Sequence, residues 1–219
     1  MGSLKRFNLD RIIGKYNLSY LFETGTWKGD SIAYAQKSPF QKIYSSEIIP
    51  EIADKARNRF NNKPNIEIIT SNSIDALKTN ADKIDGNCLF WLDAHFPGAE
   101  EGLSGYNDTQ QDDIKLPLEK EIEIIASREK KYQDVIIIDD LRIYEDGPFR
   151  HGNMPEHIHR PRNRDLAFIS QALASTHIIQ KSYWDEGYIL LLPNTIFPGD
   201  FGWRRYWYNF YNTVAKKIY

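Results

Sequence analysis

Residues 20–31, YLFETGTWKGDS, decide the fold. An apolar run ends in an acid and opens at once into a turn holding two glycines. Leu21 and Phe22 read as a strand buried on both faces, as in a parallel sheet. Glu23 and Thr24 stand at its carboxyl end. Gly25 and Gly29, on either side of Thr26, let the backbone turn tightly and approach a ligand closely. Residues 32–36 then begin a helix. Strand, acid, glycine turn and helix are the parts of a nucleotide-type site in an open α/β sheet, where ligands bind beyond the carboxyl ends of the strands. A dinucleotide fits poorly, because its G-x-G-x-x-G fingerprint needs three glycines and here bulky Trp27 separates two. The acid would also repel a pyrophosphate. It suits a ligand carrying an amine or another positive charge.

Around this stretch, apolar runs bounded by polar turns alternate with helical patterns, the signature of βαβ units and a mostly parallel sheet. The runs predict seven strands, at residues 21–23, 43–47, 66–70, 89–93, 135–139, 178–181 and 188–192. Helical spacing marks 49–60 through Ile52, Ala53, Ala56 and Phe60, and 117–127 through Leu118, Ile122 and Ile125. Pro50 and Pro117 suit first-turn positions, and 166–174 supplies a further helix. Only residues 182–187 separate the last two strands, which predicts an antiparallel pair. Segments 95–115 and 144–164 are long and polar, and read as lid-like loops with disorder as the alternative.

A chain of 219 residues is sized for one α/β domain spanning 1–219. Its formal net charge of −2 gives no global attraction to nucleic acid or to anionic membranes. The single cysteine, Cys88, lies in the apolar run CLFWLD as a small hydrophobe, and so low a count suits a reducing compartment. The opening residues MGSLKRFNLD lack the apolar core of a signal peptide, and no apolar run reaches transmembrane length. The expectation is a soluble, cytoplasmic protein.

Acids end most of the strands: Glu23, Glu47, Asp93 and the pair Asp139 and Asp140. In a parallel sheet they converge on one rim. Glu47, about 20 residues beyond the glycine turn, is placed to accept hydrogen bonds from ribose hydroxyls, or alternatively to serve the first turn of the next helix. Asn72 and Ser73, after the third strand, could hold an adenine edge or simply cap the helix that follows. Asp93, Asp139 and Asp140 would repel one another without a proton or a cation, which favours a hard divalent ion such as magnesium or calcium. The alternative is that Asp140 caps a turn while Asp139 pairs with an arginine such as Arg142.

ETGTWKGDS, SSEIIPE, TSNSIDAL, FWLDAH and IIIDDL, in this order and spacing, resemble the class I S-adenosylmethionine-dependent O-methyltransferases, most closely the macrocin O-methyltransferase-like group that modifies sugars. The resemblance spans residues 20–192. It implies an α/β, Rossmann-like, seven-stranded, mostly parallel sheet with helices on both faces. It also implies that Glu23, Gly25 and Gly29 hold the amino acid part of the donor and Glu47 the ribose, with Thr24, Thr26, Asn72, Ser73 and Asp93 as further donor-binding residues. Asp93, Asp139 and Asp140 would be the magnesium ligands. The chemistry implied is transfer of the sulfonium methyl to a hydroxyl, with the ion orienting the acceptor and His95, or Asp93 in its place, taking the proton. The chain departs from the group in Thr26, Trp27 and Lys28, where a more glycine-rich loop is usual, and in Asn72, where an acid is common. A nicotinamide-dependent oxidoreductase and a non-catalytic nucleotide-binding module stand as alternatives.

The segment FRHGNMPEHIHRPRNR at 149–164 concentrates positive charge on a near-neutral chain. Arg150, His157, Arg160 and Arg162 could therefore bind an anionic acceptor, such as a sugar phosphate or nucleotide-linked sugar, or the segment could be a solvated loop. Near the end of the sequence, Trp203, Tyr206, Trp207, Phe210, Tyr211, Val214 and Ile218 fall on one helical stripe. It is expected to pack on the domain or in a homodimer, with a membrane surface as the minor alternative.

Overall fold

The computed structural model describes residues 3–97, 102, 105, 112–129, 131–158 and 165–195. Arg160, Arg162 and the aromatic stripe after residue 200 lie outside the described residues. All seven predicted strands form, each within one residue of its expected ends: β1 Tyr20–Thr24, β2 Lys42–Glu47, β3 Ile66–Thr70, β4 Cys88–Leu92, β5 Val135–Ile138, β6 His177–Ser182 and β7 Tyr188–Pro193. They make one sheet in the order β3-β2-β1-β4-β5-β7-β6. β7 runs antiparallel to both its neighbours, and the other pairings are parallel. The expected closing pair is thus present. Between β1 and β4 the strand order reverses, which opens a crevice at their carboxyl ends.

Strand alternation divides the core into two layers. Leu21, Ile43, Leu89, Trp91 and Ile137 point to one face, under α1 Leu9–Tyr16, α2 Asp30–Ala35 and α3 Pro50–Arg59. Phe22, Phe90, Ile136 and Ile138 point to the other, under α4 Ser73–Asn80, α6 Leu118–Ala126 and α7 Ala167–Leu173. Both sides of the central strands are dry, which is why they read as unbroken apolar runs. Each fully buried Leu, Ile or Phe contributes about 1.5–3 kcal/mol. Cys88 is fully buried within this packing, and burial pushes its thiol pKa up.

The sequence reading assigned no element before β1, yet α1 is well specified. Asn8 caps it by accepting from the Arg11 N–H at 3.1 Å, Leu9, Ile13 and Tyr16 repeat at helical spacing, and Asn17 ends it at φ 49°. Within the expected lid-like loop 95–115, one helical turn, α5 Asp112–Lys115, is present. Among the described residues, no helix is long and apolar enough to cross a membrane.

Candidate functional site

The turn after β1 is tied to the end of β2. Both Gly25 and Thr26 donate their N–H groups to the Ser46 carbonyl, at 2.9 and 3.0 Å, and Gly29 donates to the Thr26 carbonyl at 2.8 Å. Trp27, at φ 44°, donates its N–H to Glu47 Oε2 at 2.9 Å, and Ile49 donates to Glu47 Oε1 at 3.0 Å. Glu47 therefore joins the turn to the start of α3, so the helix-start alternative describes part of its work. Gly25 has φ +85°, and a Cβ there would lie 2.7 Å from the Asp93 carbonyl oxygen. The close approach that Gly25 permits is thus to the end of β4 rather than to a ligand. Gly29 likewise clears the Phe60 ring.

Glu23 is 1% exposed and lies beneath the turn. Ser45 Oγ donates to its Oε2 at 2.6 Å, and Thr26 Oγ1 meets Ser45 Oγ at 2.6 Å. Burial pushes the Glu23 pKa up to about 8, against the hydrogen bonds from Ser45 and Ser31. At neutral pH this carboxyl is largely protonated, and it acts from below the turn. Ser45 and Thr26 complete a buried polar network that the strand pattern at SSE concealed, because a serine in a buried strand announces no partner.

Beyond β4 and β5 the acids crowd together. Asp93 donates its N–H to the Thr24 carbonyl at 3.1 Å and to Thr24 Oγ1 at 3.3 Å. Asp140 takes the left-handed conformation, φ 54°, and its N–H donates to Asp139 Oδ1 at 2.8 Å. His95 stands between them, with Nε2 2.8 Å from Asp140 Oδ2 and Nδ1 3.6 Å from Asp93 Oδ1. Burial raises the Asp139 pKa well above the usual carboxylate range, helped by Asp93 and Asp140. Burial pushes Asp140 the same way, but the hydrogen bond and charge of His95, with Arg142, outweigh it and hold Asp140 low. Arg142 Nε lies 3.4 Å from Asp140 Oδ1, so its pairing is with Asp140 rather than Asp139. Among the described residues, no three His, Cys, Asp or Glu side chains are arranged to hold a metal ion. With His95 between Asp93 and Asp140, the expected magnesium triad does not form a ready ligand set.

Asn72 is occupied by capping. It accepts from the Asp75 N–H at 2.9 Å and donates Nδ2 to Asp75 Oδ2 at 2.7 Å. Ser73, the first residue of α4, is buried, and so is a carboxyl on the apolar face of α6, Glu121. Glu121 is 1% exposed, and burial pushes its pKa up to about 7, against hydrogen bonds from Ser73 and Thr24 and the charge of His95. Its signal was in the spacing: Leu118, Glu121, Ile122 and Ile125 share one helical stripe, so an acid interrupts an apolar face.

The described part of the basic segment is tied to the hairpin between β6 and β7. Arg150 Nη1 lies 3.9 Å from Asp185 Oδ1, His151 Nδ1 lies 3.0 Å from Glu186 Oε1, and Arg6 Nε lies 2.7 Å from Asp185 Oδ2. His157 is exposed. β7 is antiparallel, so this hairpin sits at the same rim as the acids.

No family model matches the chain, and no curated protein matches its sequence. Solved structures share its architecture. A protein from Staphylococcus aureus proposed to be a caffeoyl-CoA O-methyltransferase superposes with a TM-score of 0.51 at 15% identity, over 88% of this chain and 84% of that one. An O-methyltransferase from Bacillus cereus, solved in complex with SAH, superposes with a TM-score of 0.51 at 13% identity, over 84% of this chain and 78% of its own. Likeness at these identities establishes the fold alone. The chain has the Rossmann-like, seven-stranded fold seen in those O-methyltransferases.

Proposed function

We propose that the chain is an S-adenosylmethionine-dependent O-methyltransferase acting on a hydroxyl of a sugar-like acceptor. The observation that carries this reading is how the turn after β1 spends its N–H groups. Those of Gly25, Thr26 and Trp27 bond to Ser46 and Glu47 within the protein, so the turn offers no pyrophosphate cradle. That disfavours the nicotinamide-dependent alternative. Glu47 and Asp93 instead present carboxylates to a ligand with hydroxyls and positive charge, and S-adenosylmethionine carries ribose hydroxyls, an ammonium and a sulfonium.

In this reading Gly25, Thr26 and Gly29 shape the wall of the donor site, with Glu23 and Ser45 bracing it from below. Glu47 takes the ribose hydroxyls, and Asp93 and Thr24 face the amino acid end beside Ser73. The bound donor supplies a sulfonium methyl open to attack by an oxygen. His95 holds the proton chemistry: with Nε2–H donating to Asp140, Nδ1 is the basic nitrogen and takes the proton of the acceptor hydroxyl as its oxygen accepts the methyl. Asp140 keeps the ring oriented and stabilises its charged form.

A second reading puts magnesium among Asp93, Asp139 and Asp140. It is favoured by Asp140 Oδ1, a buried oxygen that accepts no hydrogen bond and has only the Arg142 guanidinium, 3.4 Å away, as an ionic neighbour. Because His95 intervenes, no step here depends on that ion. An anionic acceptor would draw on Arg160 and Arg162, since Arg150 and His151 already face Asp185 and Glu186.

Calorimetry with S-adenosylmethionine and its demethylated product, each with magnesium or with EDTA, tests the reading, together with transfer of labelled methyl to sugars and sugar phosphates. Binding of both, with turnover on a sugar hydroxyl, is the expected result. Absence of binding would sink the donor reading, binding without turnover on any acceptor would favour the binding module, and EDTA-sensitive turnover would promote the metal over His95.

A further inference from the structure

Two arginines show the different uses this fold makes of a guanidinium. Arg128, beyond α6, donates Nε to Asp134 Oδ2 at 2.9 Å, and its terminal nitrogens donate to the carbonyls of Ala81, Ile84 and Gly86. It is buried, and it ties residues 81–86 to the start of β5. Arg142 is built differently. It sits in the single 3-10 turn Leu141–Ile143 that follows Asp140, and that turn is held from two sides. Leu141 and Arg142 donate their N–H groups to the carbonyls of Gly187 and Glu186 in the β6–β7 hairpin, each at 3.1 Å, while the side chains of Leu141 and Ile143 pack in the core. The backbone of Arg142 is thus fixed, and its side chain remains unspent. Nε is covered and makes no hydrogen bond, with Asp140 Oδ1 3.4 Å away as its ionic neighbour. Among the described residues the two terminal nitrogens make no hydrogen bond, and they are not buried: the side chain is 22% exposed. A structural arginine would look like Arg128.

We propose that Arg142 is the anion anchor of the acceptor site: its two terminal nitrogens take a phosphate or carboxylate group of a sugar while a hydroxyl of that sugar faces His95. The proposal deepens the methyl-transfer reading above and rests on it. A short chain of contacts supports it. His95 Nε2 is 2.8 Å from Asp140 Oδ2, and the other oxygen of that carboxylate faces Arg142, so base and guanidinium are one side chain apart. The terminal edge of a guanidinium presents parallel N–H donors that match two oxygens of a phosphate or carboxylate. Asp140 leaves that edge open, because its oxygen stands at Nε. An arriving oxyanion needs little reordering of the protein, since the turn is clamped before it binds. The sulfonium and ammonium of a bound donor add positive charge to a rim where Asp93 and Asp140 would otherwise repel an anion.

Calorimetry tests this with glucose 6-phosphate, glucuronate and glucose, each titrated in the presence of saturating S-adenosylhomocysteine into the parent protein, Arg142→Gln and Arg142→Lys. At least one anionic sugar is expected to bind about tenfold or more tighter than glucose, the scale of hydrogen bonds to a charged group. Which of the two binds tighter tells which oxyanion the site takes. Arg142→Gln removes the preference and leaves the affinity for S-adenosylhomocysteine and the melting temperature at parental values, because the lost guanidinium made no hydrogen bond. Arg142→Lys keeps a charge without the fork and retains part of the preference. Where Arg142→Gln melts lower than the parent, Arg142→Lys decides: a weakened preference at parental stability supports the anchor, and a full one overturns it. Equal affinity for charged and neutral sugars in the parent, including binding of none, overturns the proposal. So does a preference that survives in Arg142→Gln. A parent that takes the anionic sugars but not S-adenosylhomocysteine removes the acceptor role by way of the donor reading, an outcome distinct from the others.

Discussion

On the β1 and β2 side of the rim, Glu23 and Glu47 are met by hydroxyls and backbone N–H groups. On the β4 and β5 side, Asp93, Asp139 and Asp140 crowd one another around His95. The first arrangement needs nothing more: its acids are satisfied by neutral donors from the neighbouring strand and turn, and the result is a braced wall. The second has too much negative charge for its few positive partners. It splits the pKa values of Asp139 and Asp140 in opposite directions and leaves Asp140 Oδ1 with an ionic neighbour, Arg142, but no hydrogen bond. Pairs of titratable groups pushed apart in this way mark where protons or cations are handled. In the proposed reading the braced half binds the donor and the crowded half handles the proton.

Asp140→Asn is the change that should break this contrast most visibly. Asparagine tolerates the left-handed backbone at φ 54°, so the turn survives while the charge opposite His95 is lost. Turnover should fall by about 10²–10⁴-fold, the range associated with a general base, while affinity for S-adenosylhomocysteine stays at the parental value. Single-turnover methyl transfer and calorimetry separate the two readouts. Unchanged turnover would mean that the crowded half is as inert as the braced one.

How much of this could be read in advance follows the same division. The strands were legible because burial on both faces leaves them as apolar runs, and the acids at their ends were legible because they interrupt those runs. The direction of each acid was not. Glu23 and Glu47 end neighbouring parallel strands and look equivalent, yet Glu23 is buried beneath the turn with Ser45 and Glu47 bridges the turn to α3. Pairing across strands decides that, and single-sequence spacing does not carry it. Gly25 was legible as a turn residue, but the neighbour it makes room for, the Asp93 carbonyl, is 68 positions away in the chain. Glu121 is legible only as an acid on an apolar stripe, because spacing within one helix does not say what a buried carboxyl faces.

Gly25 also sits on the seam between the halves, and Gly25→Ala tests whether they are mechanically joined. A Cβ there meets the Asp93 carbonyl at 2.7 Å on a backbone of φ +85°, so the variant must strain the turn or push β4 away. A loss of about 1–3 kcal/mol in urea unfolding is expected. Stability at the parental level would show that the two halves move independently.

Glu23→Gln gives a smaller effect, read in pH. The folded pKa of Glu23, about 8, lies above its ordinary value of 4.5. The stability it contributes is therefore complete below about pH 4.5 and is lost as pH rises toward 8, because the unfolded chain releases the proton first. Glutamine does not titrate. The fall in unfolding free energy between pH 5 and pH 8 should shrink by something on the order of 1 kcal/mol, with Glu121 keeping part of the slope. An unchanged slope would mean that Glu23 is ionised in the folded protein, and the braced half would then hold an uncompensated charge as the other half does.

The smallest expected effect belongs to Asn72→Ala, and it decides where the braced wall ends. Asn72 accepts from the Asp75 N–H and donates to Asp75 Oδ2, so its removal should cost about 1 kcal/mol of stability, the usual worth of an N-cap. With its side chain already engaged by its own helix, affinity for S-adenosylhomocysteine should not change. A tenfold loss of affinity would instead show that Asn72 gives up its cap to the ligand. The start of α4 would then rearrange on binding, and this end of the wall would be formed by the donor rather than waiting for it.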